Sequence, residues 1–139
     1  MPVDPIRSTI RQVDLSDRVA FSSAVVASPA ASAETIIASV TLAQGVPIVS
    51  GVLLFGWATY TVGTSGVSGR MRIKQTDAAG ATKVDTGLLT RTAAQLVDDA
   101  VLGFDSAPAD GQIYKLTLII GSGAAASTVS AVGLLAIPV

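Results

Sequence analysis

The 139-residue sequence contains no cysteine and no histidine. Without cysteine it cannot form disulfides, thiolate nucleophiles or zinc–thiolate sites. Without histidine it cannot build a Ser-His-Asp triad, a histidine-ligated zinc site or an imidazole base. A catalytic carboxylate pair is not indicated either, because the adjacent Asp98 and Asp99 would point to opposite faces of a strand. We therefore expect a protein that is not an enzyme and that uses no cofactor or metal.

Four other aspartates, Asp77, Asp85, Asp105 and Asp110, stand beside glycine, alanine, threonine or proline. Aspartate is common in turns because its side chain accepts hydrogen bonds from the backbone that follows it. We predict turn roles for all four. They show no EF-hand spacing, and the glycine-rich residues 63–69 lack the Gly-Lys-Ser/Thr ending of a phosphate-binding loop.

Charge is scarce as well, at 14% of residues, and the formal net charge is -1. Nucleic-acid binding normally requires a basic stripe that replaces counterions. The nearest approach is Arg70, Arg72 and Lys74, which alternate with apolar Met71 and Ile73. This alternation is typical of the solvent-facing side of a strand, so we expect no nucleic-acid partner.

Two apolar stretches could suggest a membrane or targeting segment. Residues 46–62 include Pro47, Gly51 and Gly56 and are rich in β-branched and aromatic types, which predicts buried strands rather than a spanning helix. Residues 19–33 resemble the apolar part of a signal peptide, but Asp4, Asp14 and the other charges before it do not fit one. We expect no membrane partner and no cleaved leader.

The sequence is rich in hydrophobic residues, which make up half of it. A small domain with so few charges leaves apolar surface exposed, and such surface usually contacts another chain. Composition therefore favours an assembly over a monomer whose surface is rich in alanine and glycine.

The chain divides at about residue 33. Residues 1–18 are the most charged part of the chain, and Pro2 and Pro5 discourage an early helix, so we predict that residues 1–33 form an extended N-terminal arm. From Glu34 onward the pattern has a period of two, which predicts about seven or eight strands and no convincing helix. The expected fold is all-β, an antiparallel β-sandwich or jelly roll over residues 34–139. The predicted strands cover residues 34–42, 49–62, 70–75, 82–90, 96–104 (with a break at Asp98-Asp99), 112–120 and 127–137, and in the first of them Ile36, Ala38, Val40 and Leu42 share a face.

The stretch 52–62 is apolar on both faces for most of its length. A sandwich strand with one solvated face should alternate apolar and polar residues, so we predict that another subunit covers the second face. Tolerance of surface alanine and valine is the alternative. Trp57 and Tyr60 fall on opposite faces, so they cannot form one sugar-stacking platform. The predicted subunit-interface residues are Leu53, Phe55, Trp57, Tyr60, Tyr114 and Leu135.

Four segments carry a resemblance to a known group of proteins: VLLFGWATYT (52–61), GRMRI (69–73), IYKLTL (113–118) and TVSAVGLLAI (128–137). Together they resemble the compact jelly-roll domains of phage head-decoration and fibre proteins. The plan of these domains is similar to the trimeric tumour-necrosis-factor and complement-head jelly rolls, in which the inner sheets of three subunits meet along an axis.

The resemblance implies a structural virion protein without catalytic residues. The implied role is that of a phage capsid decoration (cement) subunit, a homotrimer that binds and stabilises the capsid exterior. The partner would be the major capsid protein or another virion protein, and the location the capsid surface after synthesis in the host cytoplasm. A fibre or receptor-binding tip and a carbohydrate-binding β-sandwich module are the alternatives. The arm is expected to attach to the capsid, with candidate contacts Ile6, Arg7, Ile10, Arg11, Val13 and Leu15.

Overall fold

The computed structural model describes residues 20–22, 33–62, 68–77, 79–87, 89–90, 95–120 and 128–139. Over these ranges the chain forms strands and no helix, which confirms the predicted all-β class. The strands are β1 (Ala20–Ser22), β2 (Glu34–Thr41), β3 (Val52–Val62), β4 (Ser68–Gln75), β5 (Thr82–Asp85), β6 (Leu89–Thr90), β7 (Gln95–Asp105), β8 (Ile113–Ile120) and β9 (Thr128–Pro138).

The strands form two antiparallel sheets. The first sheet has the order β1-β9-β3-β7, and the second sheet has the order β2-β8-β4-β5, with β6 paired to β4. The pairs β1–β9, β2–β8, β3–β7 and β4–β5 are nested, as they are when one long hairpin folds over on itself. This nesting is the jelly-roll arrangement.

The core lies between the two sheets because each strand presents alternate residues to the other sheet. In β3, Val52, Leu54 and Ala58 point inward and are at most 1% exposed. Full burial of a large aliphatic or aromatic side chain contributes about 1.5–3 kcal/mol. The largest fully buried side chains are Tyr60, Tyr114, Ile37, Leu42, Leu54, Met71, Ile73, Leu116, Leu118, Ile120, Leu134 and Val52.

Two local predictions are wrong. The pairing of β2 with β8 shifts register between Ile36 and Ala38, so Ile37 is buried with Ala38 whereas Ile36 is 36% exposed. A bulge of this kind reverses the alternation, and the apolar pattern gives no sign of it. In addition, β7 runs without a break through Asp98 and Asp99, because both side chains find hydrogen-bond partners on β3.

The predicted arm, residues 1–33, lies mostly outside the described residues, as do all six of its candidate capsid contacts. The described part of it includes β1, which pairs with β9 and places the backbone of Phe21 opposite that of Leu135. Ala20–Ser22 therefore belong to the sandwich itself.

Candidate functional site

The outward side of the first sheet carries an apolar surface built on three neighbouring strands. Because paired residues in antiparallel strands share a face, the registers of β3 with β7 and β9 place these side chains in rows across the sheet. One row is Phe104, Leu53 and Ile137, the next is Leu102, Phe55 and Leu135, and a third is Ala100, Trp57 and Gly133. We call the set Leu53, Phe55, Trp57, Leu102, Phe104, Leu135 and Ile137 the outer apolar face.

Much of this face is open to solvent. Leu102 is 71% exposed, Phe104 45%, Leu53 40% and Phe55 39%. Three rows on three strands span roughly 300 Å² of sheet, from the spacings of strands and of alternate residues. The largest apolar patch on a typical soluble monomer starts at about this size and is often functional.

Trp57 is fixed against the sheet by a glycine on the neighbouring strand. A Cβ atom on Gly133 would occupy the space of the Trp57 indole, at its Nε1, Cε2 and Cζ2 atoms. The ring therefore lies over the backbone of Gly133 and buries it, while the ring itself stays half-buried. This contact fixes the position of an aromatic ring in the third row of the outer apolar face.

Polar side chains border the outer apolar face on the same side of the sheet. The Thr59 hydroxyl donates to Asp98 Oδ1 at 2.5 Å, and the Ser130 hydroxyl donates to the Thr59 carbonyl oxygen at 3.2 Å. On the opposite side, the Tyr60 hydroxyl donates to Asp99 Oδ2 at 2.6 Å. Asp98 and Asp99 thus lie on opposite faces, as predicted.

The outward side of the second sheet is charged and internally paired. Glu34 Oε2 lies 3.4 Å from Arg72 Nη1 and 3.5 Å from Lys74 Nζ. Asp85 accepts hydrogen bonds from both Arg70 and Arg72. The hydrogen bond from Arg70 holds the pKa of the Asp85 carboxyl well below its usual range. This face pairs most of its charges internally, whereas the exposed side chains of the outer apolar face have no partner of that kind among the described residues.

A third group, which the sequence did not predict, surrounds Asp105 at the end of β7. Its Oδ2 accepts from the Tyr114 hydroxyl at 2.8 Å and from Gln75 Nε2 at 2.7 Å. Its Oδ1 lies 3.0 Å from Lys83 Nζ and accepts from the backbone N–H of Ala107 at 3.2 Å. Burial raises the pKa of Asp105, but the hydrogen bonds from Lys83 and Tyr114 outweigh it and leave the pKa below its ordinary value.

The predicted turn roles hold for three of the four aspartates. Asp77 accepts from the N–H of Ala79 and Asp85 from that of Gly87, each at 2.8 Å, and Asp105 accepts from Ala107. Asp110 instead accepts from the N–H of Gly45, in the loop between β2 and β3, at 2.8 Å. It therefore joins two loops that are far apart in the sequence.

The predicted interface residues separate into two groups. Leu53, Phe55, Trp57 and Leu135 come together on the outer apolar face. Tyr60 and Tyr114 do not, because each is 0% exposed and both lie in the core.

Both tyrosine hydroxyls bond inside the sandwich, to Asp99 and Asp105 respectively, and burial together with Asp105 raises the pKa of Tyr114 well above its usual value. The apolar pattern did not lead us to predict a surface position for Leu102, Phe104 or Ile137. The alternation along β7 could have indicated the first two, had the strand been predicted as continuous.

Two further properties concern only the described ranges. They contain no helix long and apolar enough to cross a membrane. They also contain no cluster of three or more acidic side chains arranged to hold a metal ion.

Comparison with known proteins gives a match at the level of fold alone. No family model matches the chain, and no curated protein matches it. Among solved structures, a chain in the structure of infectious bursal disease virus, Gx strain, has a TM-score of 0.53 and 18% identity over 88% of this chain. This chain spans 32% of the length of that viral chain. The likeness supports the β-sandwich fold.

A second solved structure, described as CBM4 structure and function, covers 84% of this chain and 78% of its own chain at 21% identity. Its TM-score of 0.37 is too low to establish a shared fold.

Proposed function

We propose that this chain is a structural subunit of a virus particle and that it assembles with copies of itself by covering the outer apolar face. The observation that carries the proposal is the contrast between the two outward faces. One is charged and pairs most of its charges internally, whereas the other exposes Leu102, Phe104, Leu53 and Phe55. Apolar surface of this kind is stabilised by contact with another chain.

The viral part of the proposal rests on the fold. Jelly rolls are common in viral capsid proteins, and the viral structure with a TM-score of 0.53 shares its arrangement over 88% of this chain. Fold alone does not identify function, so the assembly surface and the fold are both needed for the argument.

Within this class we propose the more specific role that the sequence resemblance suggests. The chain would be a non-catalytic phage capsid decoration subunit, a homotrimer on the capsid exterior that binds the major capsid protein or another virion protein. The mechanism is mechanical, because many weak contacts between repeated copies add through multivalency.

The test places a charge at the centre of the outer apolar face. We expect Phe55→Asp to fold but to dissociate to monomers in multi-angle light scattering, whereas the wild type forms trimers. Phe55 is 39% exposed, so the substitution leaves the core intact. Ile36→Asp is the matched control, since Ile36 is 36% exposed on the opposite outward face. A wild-type protein that is monomeric at micromolar concentration, or two variants with equal mass, would contradict the proposal.

A glycan-binding module or receptor-binding tip is the second candidate. One observation favours it: the half-buried Trp57 ring lies beside the Thr59–Asp98 hydrogen bond on an outward sheet face. Aromatic rings with adjacent polar groups are suited to bind small ligands. Binding to a glycan array that is lost in Trp57→Ala would favour this candidate. An array that shows no binding by the wild type would argue against it and favour the structural role.

A further inference from the structure

Cationic side chains are concentrated on the outward side of the second sheet. Four of the nine lysines and arginines of the chain lie there, on two neighbouring strands. They are Arg70, Arg72 and Lys74 on β4 and Lys115 on β8. Among the described residues, the carboxylates of Glu34 and Asp85 pair with cations of this group. The cations of this face therefore outnumber its anions, although the whole chain has a formal net charge of -1.

The register of the second sheet sets two of these cations side by side. Lys74 of β4 is directly opposite Lys115 of β8, and Ser39 of β2 is opposite Lys115 on its other side. Like charges in directly opposed positions of a sheet destabilise it. The lysine pair is therefore most stable when an anion lies beside it.

The nearest carboxylate is divided among several partners. Glu34 Oε1 accepts from the Thr117 hydroxyl at 2.6 Å, and Glu34 Oε2 lies 3.4 Å from Arg72 Nη1 and 3.5 Å from Lys74 Nζ. Charge-assisted hydrogen bonds between nitrogen and oxygen are normally about 2.7–2.9 Å long. Lys74 is only 7% exposed, and a buried charge is costly unless it is well paired. Glu34 thus leaves part of the Lys74 charge uncompensated.

Lys115 has still less compensation. Its Nζ donates to Ser39 Oγ at 2.7 Å, which is a neutral acceptor, and it forms no ion pair in the described part of the chain. An ammonium group has three N–H donors and a serine hydroxyl has one O–H donor. Two N–H groups of Lys115 and the O–H of Ser39 therefore have no acceptor among the described residues. Both side chains are only half-buried, so a ligand can reach these donors from solvent.

These donors suit a carboxylate. One ammonium and one hydroxyl can bind its two oxygens, and the second ammonium behind them adds positive potential. The exposed Ile36 lies one row away on the same face, so an apolar residue beside the carboxylate would also lose contact with water. Nucleic acid is a poorer fit because it requires a longer basic stripe, and Arg70 and Arg72 are already bonded to Asp85.

We propose that Lys115 and Ser39, with Lys74 behind them, bind a carboxylate in an acidic segment of a partner protein. The proposal rests on the proposed role of the chain as a subunit that binds another virion protein, and it assigns a contact to the second sheet. Each subunit carries one such site, so the site requires no particular symmetry of the assembly. Together with the attachment expected from the N-terminal arm, it gives two weak contacts that add through multivalency.

A hexaglutamate peptide is the probe for this site, and a glycine–serine peptide of the same length is the neutral control. We expect an NMR titration of the full chain at about 0.1 M salt to shift the backbone amide signals of Ser39 and Lys115 with hexaglutamate only. Lys115→Gln should weaken binding about five- to tenfold, whereas Lys115→Arg should retain it. Binding should also weaken as the salt concentration rises, because partly exposed charges are screened.

Arg70→Gln is the matched control for the loss of one charge. Arg70 lies on the same face but is held by Asp85, and it stands two rows from Lys115. Two rows are about 13 Å, which exceeds the Debye length of about 10 Å at 0.1 M salt. We therefore expect Arg70→Gln to change the affinity by less than about twofold. Equal losses in Arg70→Gln and Lys115→Gln would mean that only net charge matters and would overturn the site.

The stability of the free protein separates binding from a structural role. Lys115→Gln removes one of two opposed ammonium groups, so it should melt no lower than the wild type. A lower melting temperature with unchanged peptide binding would overturn the proposal, as would a wild type that does not bind hexaglutamate. Tighter binding of a single-stranded oligonucleotide than of hexaglutamate would overturn the choice of a carboxylate.

Light scattering distinguishes this site from the proposed assembly. Trimers that do not bind the peptide would refute the site and leave the assembly. Peptide binding by a monomeric wild type would support the site and refute the assembly.

Discussion

Asp105 is a charged residue held almost entirely inside the protein, at 2% exposure. Its two carboxylate oxygens accept from Lys83, Tyr114, Gln75 and the backbone of Ala107. A buried carboxylate is tolerated only when donors replace the water it has lost. Three of these donors lie on β4, β5 and β8 of the second sheet, so Asp105 ties the end of β7 in the first sheet to the second sheet.

We expect Asp105→Asn to lower the free energy of unfolding by about 2–4 kcal/mol at neutral pH, because it removes the charge and turns an amide donor towards groups that are themselves donors. Chemical denaturation measures the loss. Asp77→Asn is the control, since Asp77 is exposed and bonds only its own turn, and a loss as large as that of Asp105→Asn would refute this role.

The same pair of proteins should differ in their response to acid. The folded-state pKa of Asp105 lies below the unfolded value, which is about 3.9. Its contribution is therefore complete above that pH and is lost as the pH falls through the folded-state pKa. The stability difference between wild type and Asp105→Asn should shrink below about pH 4. A constant difference across that range would argue against the ionised carboxylate as its cause.

At the scale of elements, β3 and β9 show how neighbouring strands shape the outer apolar face. Gly133 is needed because the Trp57 indole occupies the position of a side chain there. Neither residue suggests the contact on its own, since 76 positions separate them and only the register of β3 with β9 aligns them.

We expect Gly133→Ala to displace the indole and to cost about 1–3 kcal/mol, as overpacking usually does. Trp57 is the only tryptophan, so a red shift of its fluorescence reports the displacement. Ala131→Ser on the same face of β9 serves as control and should leave the emission unchanged. An unshifted spectrum in Gly133→Ala would show that the ring does not depend on this glycine.

The elements were largely predictable, and the exceptions have local causes. The alternation of β3, β8 and β9 follows from the period of two. In β2, one extra residue at the bulge moved Ile37 inward and Ile36 outward. In β7, the adjacent Asp98 and Asp99 suggest that the strand is interrupted. The hydroxyls of Thr59 and Tyr60 on β3 donate hydrogen bonds to their carboxylates, so the strand continues. Such compensation depends on the neighbouring strand and cannot be read along the chain.

At the scale of the whole molecule, β1 changes how the N-terminal segment should be tested. Ala20–Ser22 pair with β9, so a deletion of residues 1–33 would damage the first sheet. We expect a protein lacking residues 1–17 to fold and assemble as the wild type does but to lose binding to capsids, because the proposed attachment lies before β1.

Co-sedimentation with particles that lack the subunit measures this binding. Light scattering and thermal melting of the shortened protein serve as controls. Full occupancy of the particles by the shortened protein would show that attachment uses the sandwich and not the arm.

The sequence by itself determined the fold class, since a period of two from residue 34 onward favours strands, and the absence of cysteine and histidine excludes sites built on thiolates or imidazoles in this chain. It also indicated that β3 needs a cover on its second face. Only the tertiary structure decided which side chains lie on the exposed face that lacks a cover. It buried Tyr60 and Tyr114 and brought Leu102, Phe104 and Ile137 beside Leu53 and Phe55. The reason is that strand pairing across the chain, and not periodicity along it, sets which face each strand presents to solvent.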